Sequence, residues 1–268
     1  MSSDLSRTKR APLNTAEERR VTARRSAIAL VSSVVLTAVL FFVPALELVA
    51  YPLLLLSTFV HEMGHGIAAI LVGGNFQRFE FFSDGSGVAT LALPPTRFAS
   101  AFASFGGLVG PAILGGILFA VGTSRRLAEP TLWALSAMCV LSVALFVRNA
   151  FGIFYILALA GILFGIARAG GPLLKQFTVI FIGAQLCLSV FSRGDYLFTP
   201  YAETELGRMP SDVQQIASAL LLPYWFWGAL IGLFSVAVVG FGIWLSVRSV
   251  IAHAGDLPDA TPKKRLPN

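Results

Sequence analysis

Charge is scarce in this sequence: Asp, Glu, Lys and Arg together make up 13% of its 268 residues, against roughly 25% in a soluble domain. A chain so poor in charge cannot coat itself with a water-compatible surface, which excludes an ordinary soluble domain. Cysteine is also rare. Cys139 and Cys187 both fall in apolar stretches and form no C-x-x-C pattern, which excludes a thiolate metal knuckle and leaves the redox compartment open. There is no G-x-x-x-x-G-K-[ST] or G-x-G-x-x-G loop, so the sequence carries neither of these phosphate-cradling motifs. No internal repeat at a fixed period is visible. Histidine occurs three times, and two of the three lie four residues apart.

What fills the chain instead is apolar: 56% of residues are hydrophobic, with 22 Phe. Runs long enough to cross a bilayer as helices lie near Ala27 to Pro44, Tyr51 to Val72, Phe98 to Val121, Thr131 to Val147, Ala150 to Ala167, Phe177 to Phe191 and Leu220 to Val247. The fourth and fifth are short and separated only by Arg148-Asn149. They are either two helices meeting at a tight turn or pieces of one broken helix. The expected fold class is therefore an all-α polytopic membrane protein of six or seven transmembrane helices.

Residues 1–26 form a basic arm in which Arg7, Lys9, Arg10, Arg19, Arg20, Arg24 and Arg25 outnumber Asp4, Glu17 and Glu18. By the positive-inside rule this arm belongs in the cytoplasm. It lacks the interleaved aromatics of a nucleic-acid-binding segment, and the apolar run after it is too long, without a clear A-x-A site, for a cleaved signal peptide. Thr15-Ala16-Glu17-Glu18 fits a capping box for a short interfacial helix. Residues 248–268 read as a disordered tail with a basic end at Lys263-Lys264-Arg265. Residues 27–247 between them constitute the membrane domain.

Inside the second apolar run stands His61-Glu62-Met63-Gly64-His65. Positions i and i+4 share one face of a helix, so both imidazoles can reach one tetrahedral Zn²⁺ while Glu62 stands beside it as general base. Ionisable groups at membrane depth cost about 2.5 to 3.5 kcal/mol each on insertion scales and are functional by default. The pattern is that of a metalloprotease within the bilayer. Catalytic zinc takes three protein ligands and keeps one position open. Glu47, Glu80, Asp84 and Glu129 read as interface or turn residues, whereas Asp195 and Asp212 flank the last two spans. A lone Asp or Ser before an apolar helix, here Ser211 or Asp212, is also a common N-cap.

After the motif, Asp84-Gly85 marks a hairpin turn between Phe-rich and Val/Thr/Leu-containing segments. A β-hairpin inserted next to the metal is expected. Its edge offers main-chain hydrogen bonds to an extended peptide, with Phe79, Phe81 and Gly87 as candidate substrate-binding residues. The alternative is an interfacial loop that pads the bundle. Downstream, Gly106 and Gly110 form a small-x-x-x-small face suited to seating the third span against the one that carries His61 and His65.

The motif, Gly73-Gly74, the hairpin with Gly87, Phe105 to Pro111, Arg148 to Gly152, Ser211-Asp212-Val213 and Leu222-Pro223-Tyr224-Trp225-Phe226-Trp227 together resemble the M50B-like branch of the site-2-protease (M50) intramembrane metallopeptidases. The resemblance implies a zinc metalloendopeptidase with His61 and His65 as ligands and Glu62 as base. It also implies a membrane-spanning or membrane-associated protein substrate and a part in regulated intramembrane proteolysis. Better-known members of the wider family take their third ligand from an N-x-x-P-x-x-x-x-D-G element, which this sequence lacks. The third ligand is thus open between Asp212, the preferred one, and Asp195. Rival functions are a catalytically silent chaperone or regulator of the same fold, and a metal or solute transporter. Loss of Glu62 would mark the first, and paired broken helices in matching halves the second.

Overall fold

The computed structural model describes residues 16–192, 196–205 and 207–255. In chain order the helices are α1 (Ala16–Phe42), α2 (Glu47–Leu71), α3 (Arg97–Gly122), α4 (Arg125–Leu145), α5 (Ala150–Ala169), α6 (Pro172–Ser192), α7 (Asp212–Leu220) and α8 (Tyr224–Gly255). Two antiparallel hairpins interrupt them: β1 (Asn75–Phe81) with β2 (Gly87–Ala92), and β3 (Tyr201–Thr204) with β4 (Gly207–Pro210). Among the described residues, six helices, α2 to α6 and α8, are long and apolar enough to cross a membrane. The protein is an all-α polytopic membrane protein.

α3 is the hub. Its N-terminus is capped by the Thr96 side chain, which accepts from the Ala99 N–H at 3.1 Å. Its glycines then admit neighbouring backbones on three sides. A Cβ on Gly106 would lie 2.7 Å from the Gly64 carbonyl oxygen of α2, one on Gly115 2.9 Å from the Gly183 carbonyl oxygen of α6, and one on Gly242 of α8 2.8 Å from the Gly116 Cα. Between helices in lipid, where no hydrophobic force draws apolar faces together, such close approach supplies the packing energy. α1 lies along α6 through polar contacts, with Ser33 Oγ donating to the Phe177 carbonyl (3.2 Å) and Gln185 Nε2 to Thr37 Oγ1 (3.1 Å).

The first hairpin turns back along α2. Thr58 Oγ1 donates to the Gly85 carbonyl at 2.8 Å and Tyr51 Oη to the Ser83 carbonyl at 2.5 Å, and Gly85 takes a positive φ of 89° that its turn requires. Irregular or open-edged backbone survives at membrane depth only when its polar groups find partners. Here they do, because the link between α4 and α5 runs beside β1 and bridges it in parallel at Phe79 and Val147. The Phe79 N–H donates to the Phe146 carbonyl (2.9 Å), the Arg148 N–H to the Phe79 carbonyl (3.1 Å) and the Phe81 N–H to Asn149 Oδ1 (3.1 Å), while Asn149 Nδ2 returns to the Phe81 carbonyl. α4 and α5 are therefore two helices meeting at a turn, and their polar Arg148-Asn149 dipeptide is a clamp on β1.

Three sequence expectations are revised. Before α8, the chain makes a separate short helix, α7, which ends at Leu221 in a left-handed conformation (φ 67°). α8 itself continues to Gly255, past the tail boundary placed after Val247. The second hairpin, β3–β4, falls where the sequence pattern showed no strand. The capping box at Thr15 and the end of the tail lie outside the described residues.

A candidate metal centre beneath two hairpins

His61 and His65 sit one turn apart on α2, each about nine-tenths buried. Their Nε2 atoms face each other at 3.1 Å. Behind His65, Nδ1 lies 2.9 Å from the Ala103 carbonyl oxygen of α3. A carbonyl only accepts, so Nδ1 carries the proton and the Nε2 lone pair points into the site. Gly107 makes this possible, because a Cβ there would strike the His65 ring. The α2–α3 glycine contact thus sets the position of a ligand.

Asp212 completes the group from the first turn of α7. Its Oδ2 lies 3.1 Å from His61 Nε2 and 3.4 Å from His65 Nε2. The N-cap role falls to Ser211, whose Oγ accepts from the Gln214 N–H at 3.3 Å and donates to the Thr199 carbonyl at 2.6 Å. Asp212, the first residue of α7, faces the histidines. One ligand atom from each of the three residues lies within 4.8 Å of the others. Two imidazole nitrogens and a carboxylate oxygen converging so closely form a donor set that fits a tetrahedral cation with one open position.

Glu62 follows His61 on α2 and is buried. Its Oε2 accepts the Ala89 N–H of β2 at 2.9 Å. The opposed residue on β1, Phe79, spends both backbone groups on the α4–α5 link, so Ala89 turns its own N–H and C=O away from β1 and toward the site. The same parity holds for Gly87, paired with Phe81. Gly87 packs against Glu62: a Cβ there would lie 2.9 Å from Glu62 Cγ. A cleft of about 150 Å³ opens over the group, walled by Gly87, Ala89 and Leu91 of β2 on one side and by Ala202, Thr204 and Met209 of the second hairpin on the other.

Among the predicted site residues, His61, Glu62, His65, Asp212 and Gly87 are brought together. Phe79 and Phe81 are not: both are 0% exposed, packed against Phe59, Phe151 and Tyr155. They are core residues that fix β1 and cannot touch a substrate. The apolar content of the segment marked the strand correctly but could not say which face lipid, protein or substrate would cover. Asp195 lies outside the described residues. Of the other acids, Glu80 pairs with Arg78 (3.7 Å), Glu129 with Lys175 (2.7 Å), and Asp84 accepts the Ser86 N–H (2.8 Å) within the turn. Sequence reasoning missed Asn149 and Ala89. Asn149 left a trace, a polar dipeptide between two apolar runs; Ala89 acts through its backbone and left none.

A bundle of six candidate membrane spans thus holds an H-E-x-x-H helix, a hairpin and a late Asp at one site. The family model for Peptidase M50B-like proteins matches residues 31–242. The chain belongs to that family, and membership supports an intramembrane metalloprotease at the level of the family. Neither a curated protein nor a solved structure matches it.

Proposed function

We propose that this protein is an intramembrane zinc metalloendopeptidase that hydrolyses peptide bonds of membrane-spanning or membrane-associated proteins. The observation that carries the reading is the convergence of His61, His65 and Asp212 within 4.8 Å, with Glu62 beside them on the same helix and the outward edge of β2 alongside. Zinc held by the three side chains supplies Lewis acidity, which lowers the pKa of water toward 7 and polarises a carbonyl.

The chain's own residues do the rest. Glu62 takes a proton from the attacking water and delivers it to the leaving amine. The Ala89 N–H fixes the Glu62 carboxylate so that its other oxygen is the one presented to the reaction. Ala103 holds His65 in the ligating tautomer. A scissile bond must be extended to be reached, and the outward groups of Gly87 and the carbonyl of Ala89 offer the main-chain partners for that conformation. Water enters through the cleft, since lipid cannot supply it. By the positive-inside rule, the basic residues of the arm 1–26 support a cytoplasmic N-terminus.

The intact Glu62 supports catalysis over a silent, binding-only role. The test pairs metal content with cleavage. Purified wild type is expected to hold about one zinc per chain and to cut a single-span substrate; Glu62→Gln is expected to keep the zinc and lose the cutting. Cleavage by that variant at the wild-type rate would reject the reading.

A further inference from the structure

The hairpin β3–β4 is built with two unlike faces. Cross-strand partners share a face, and the register pairs Ala202 with Met209, Glu203 with Arg208 and Thr204 with Gly207. Ala202, Thr204 and Met209 line the metal cleft. The alternate residues turn away, where Arg208 meets Glu203 at 3.7 Å and lies 4.1 Å above the Tyr201 ring. On the inward face Ala202 is small, Thr204 spends its hydroxyl on the Gly207 carbonyl at 2.9 Å, and Met209 is large, apolar and 41% exposed.

An isolated two-stranded hairpin of four-residue strands is marginal on its own, and this one is tied at its two ends. At the base, the Ser211 N–H donates to the Pro200 carbonyl (3.1 Å) and Ser211 Oγ to the Thr199 carbonyl (2.6 Å). At the tip, the Glu205 N–H reaches Ser86 Oγ in the turn of the first hairpin at 3.5 Å. The hairpin therefore bridges the cleft from the Asp212 helix to the β1–β2 turn, with its apolar face over the metal-facing side chains. A peptide laid along the β2 edge projects alternate side chains to its two sides. Those on the side away from β2's core face meet Ala202 and Met209.

We propose that the inward face of β3–β4, centred on Ala202 and Met209, is a specificity subsite that accepts one apolar side chain of the substrate next to the scissile bond. This rests on the peptidase reading of the same site. A small residue at 202 leaves the room, and the flexible thioether of Met209 adapts to the shape of what enters.

The test uses full-length, zinc-loaded protein in detergent and two peptide hydroxamates, one bearing Phe and one bearing Ala beside the chelating group. Ala202→Trp fills the subsite and is expected to weaken the Phe probe about tenfold or more, with little effect on the Ala probe. Glu203→Trp, one residue away on the outer face, is expected to leave both affinities and the zinc content unchanged. Met209→Ala, which removes contact instead of adding bulk, is expected to weaken the Phe probe several-fold and decides the matter should Ala202→Trp lose its zinc. Equal weakening by Ala202→Trp and Glu203→Trp, or none by either Ala202→Trp or Met209→Ala, overturns the subsite. Failure of both probes to bind the wild type overturns the metal-site reading beneath it.

Discussion

The two halves of the metal centre are built by different means. His61, Glu62 and His65 ride on a 25-residue helix at the heart of the bundle, locked to α3 by backbone contact at Gly64 and Gly106. Asp212 rides on a nine-residue helix whose start is set by a capping serine and whose preceding hairpin is tied at its ends. In the first half, backbone contact between long helices positions the chemistry; in the second, a short helix packs Val213 and Ile216 against α3 and Ile231 of α8, and the hairpin before it is held by a handful of hydrogen bonds. By that measure α2 is the rigid wall of the site, and the side carried by the four-residue strands is the adjustable one.

That contrast orders the expected effects. His65→Ala removes a ligand from the rigid half and is expected to release most of the zinc and abolish cleavage, read by metal analysis and a substrate assay. Glu62→Gln is expected to cost about 10² to 10⁴ in kcat while keeping the metal, because Gln still accepts the Ala89 N–H but takes no proton. Asp212→Ala probes the second half: zinc affinity and cleavage should both fall, and Asp195→Ala should spare the metal. The reverse pattern would move the third ligand to Asp195 and undo the comparison. Asn149→Ala leaves the Phe81 N–H and carbonyl without partners and is expected to destabilise the hairpin by about 1 to 3 kcal/mol, seen as faster proteolysis at the β1–β2 turn. Smallest is Ser211→Ala, about 0.5 to 2 kcal/mol from a lost cap; if the second half depends on that cap as the structure has it, zinc affinity weakens in step.

The sequence carried the rigid half almost entirely. The i, i+4 spacing of His61 and His65 needs only a helix to become a ligand pair, and the Gly106/Gly110 face foretold the helix it packs against. Asp84-Gly85 announced the first hairpin because an Asp-Gly pair between apolar strands is a local code, and the loop that forms spans residues 82–86. The adjustable half was harder to read. Strands of four residues carrying Glu203 and Arg208 have no alternation long enough to stand above chance, and their pairing is settled by where Ser211 and Ser86 hold the two ends. Ser211 and Asp212 were interchangeable as caps in sequence; the backbone gave the cap to Ser211 and set Asp212 at the first position of α7, facing the histidines. Phe79 and Phe81 misled for a reason special to membranes, where residues facing lipid, core or ligand are all apolar.

The hydrogen bond between Glu62 and the Ala89 N–H has a consequence outside catalysis. A strand with an unpaired edge is a template on which stray chains can nucleate, and in a crowded bilayer neighbouring copies and half-inserted segments are always near. β1 is hidden between β2 and the α4–α5 link, so β2 bears the exposed edge of that sheet, and its donor at Ala89 is held by a buried carboxylate. The residue that would cut a chain also guards the resting protein against being zipped to one, so a variant lacking any acceptor at position 62 should be more prone to self-association than one carrying Gln.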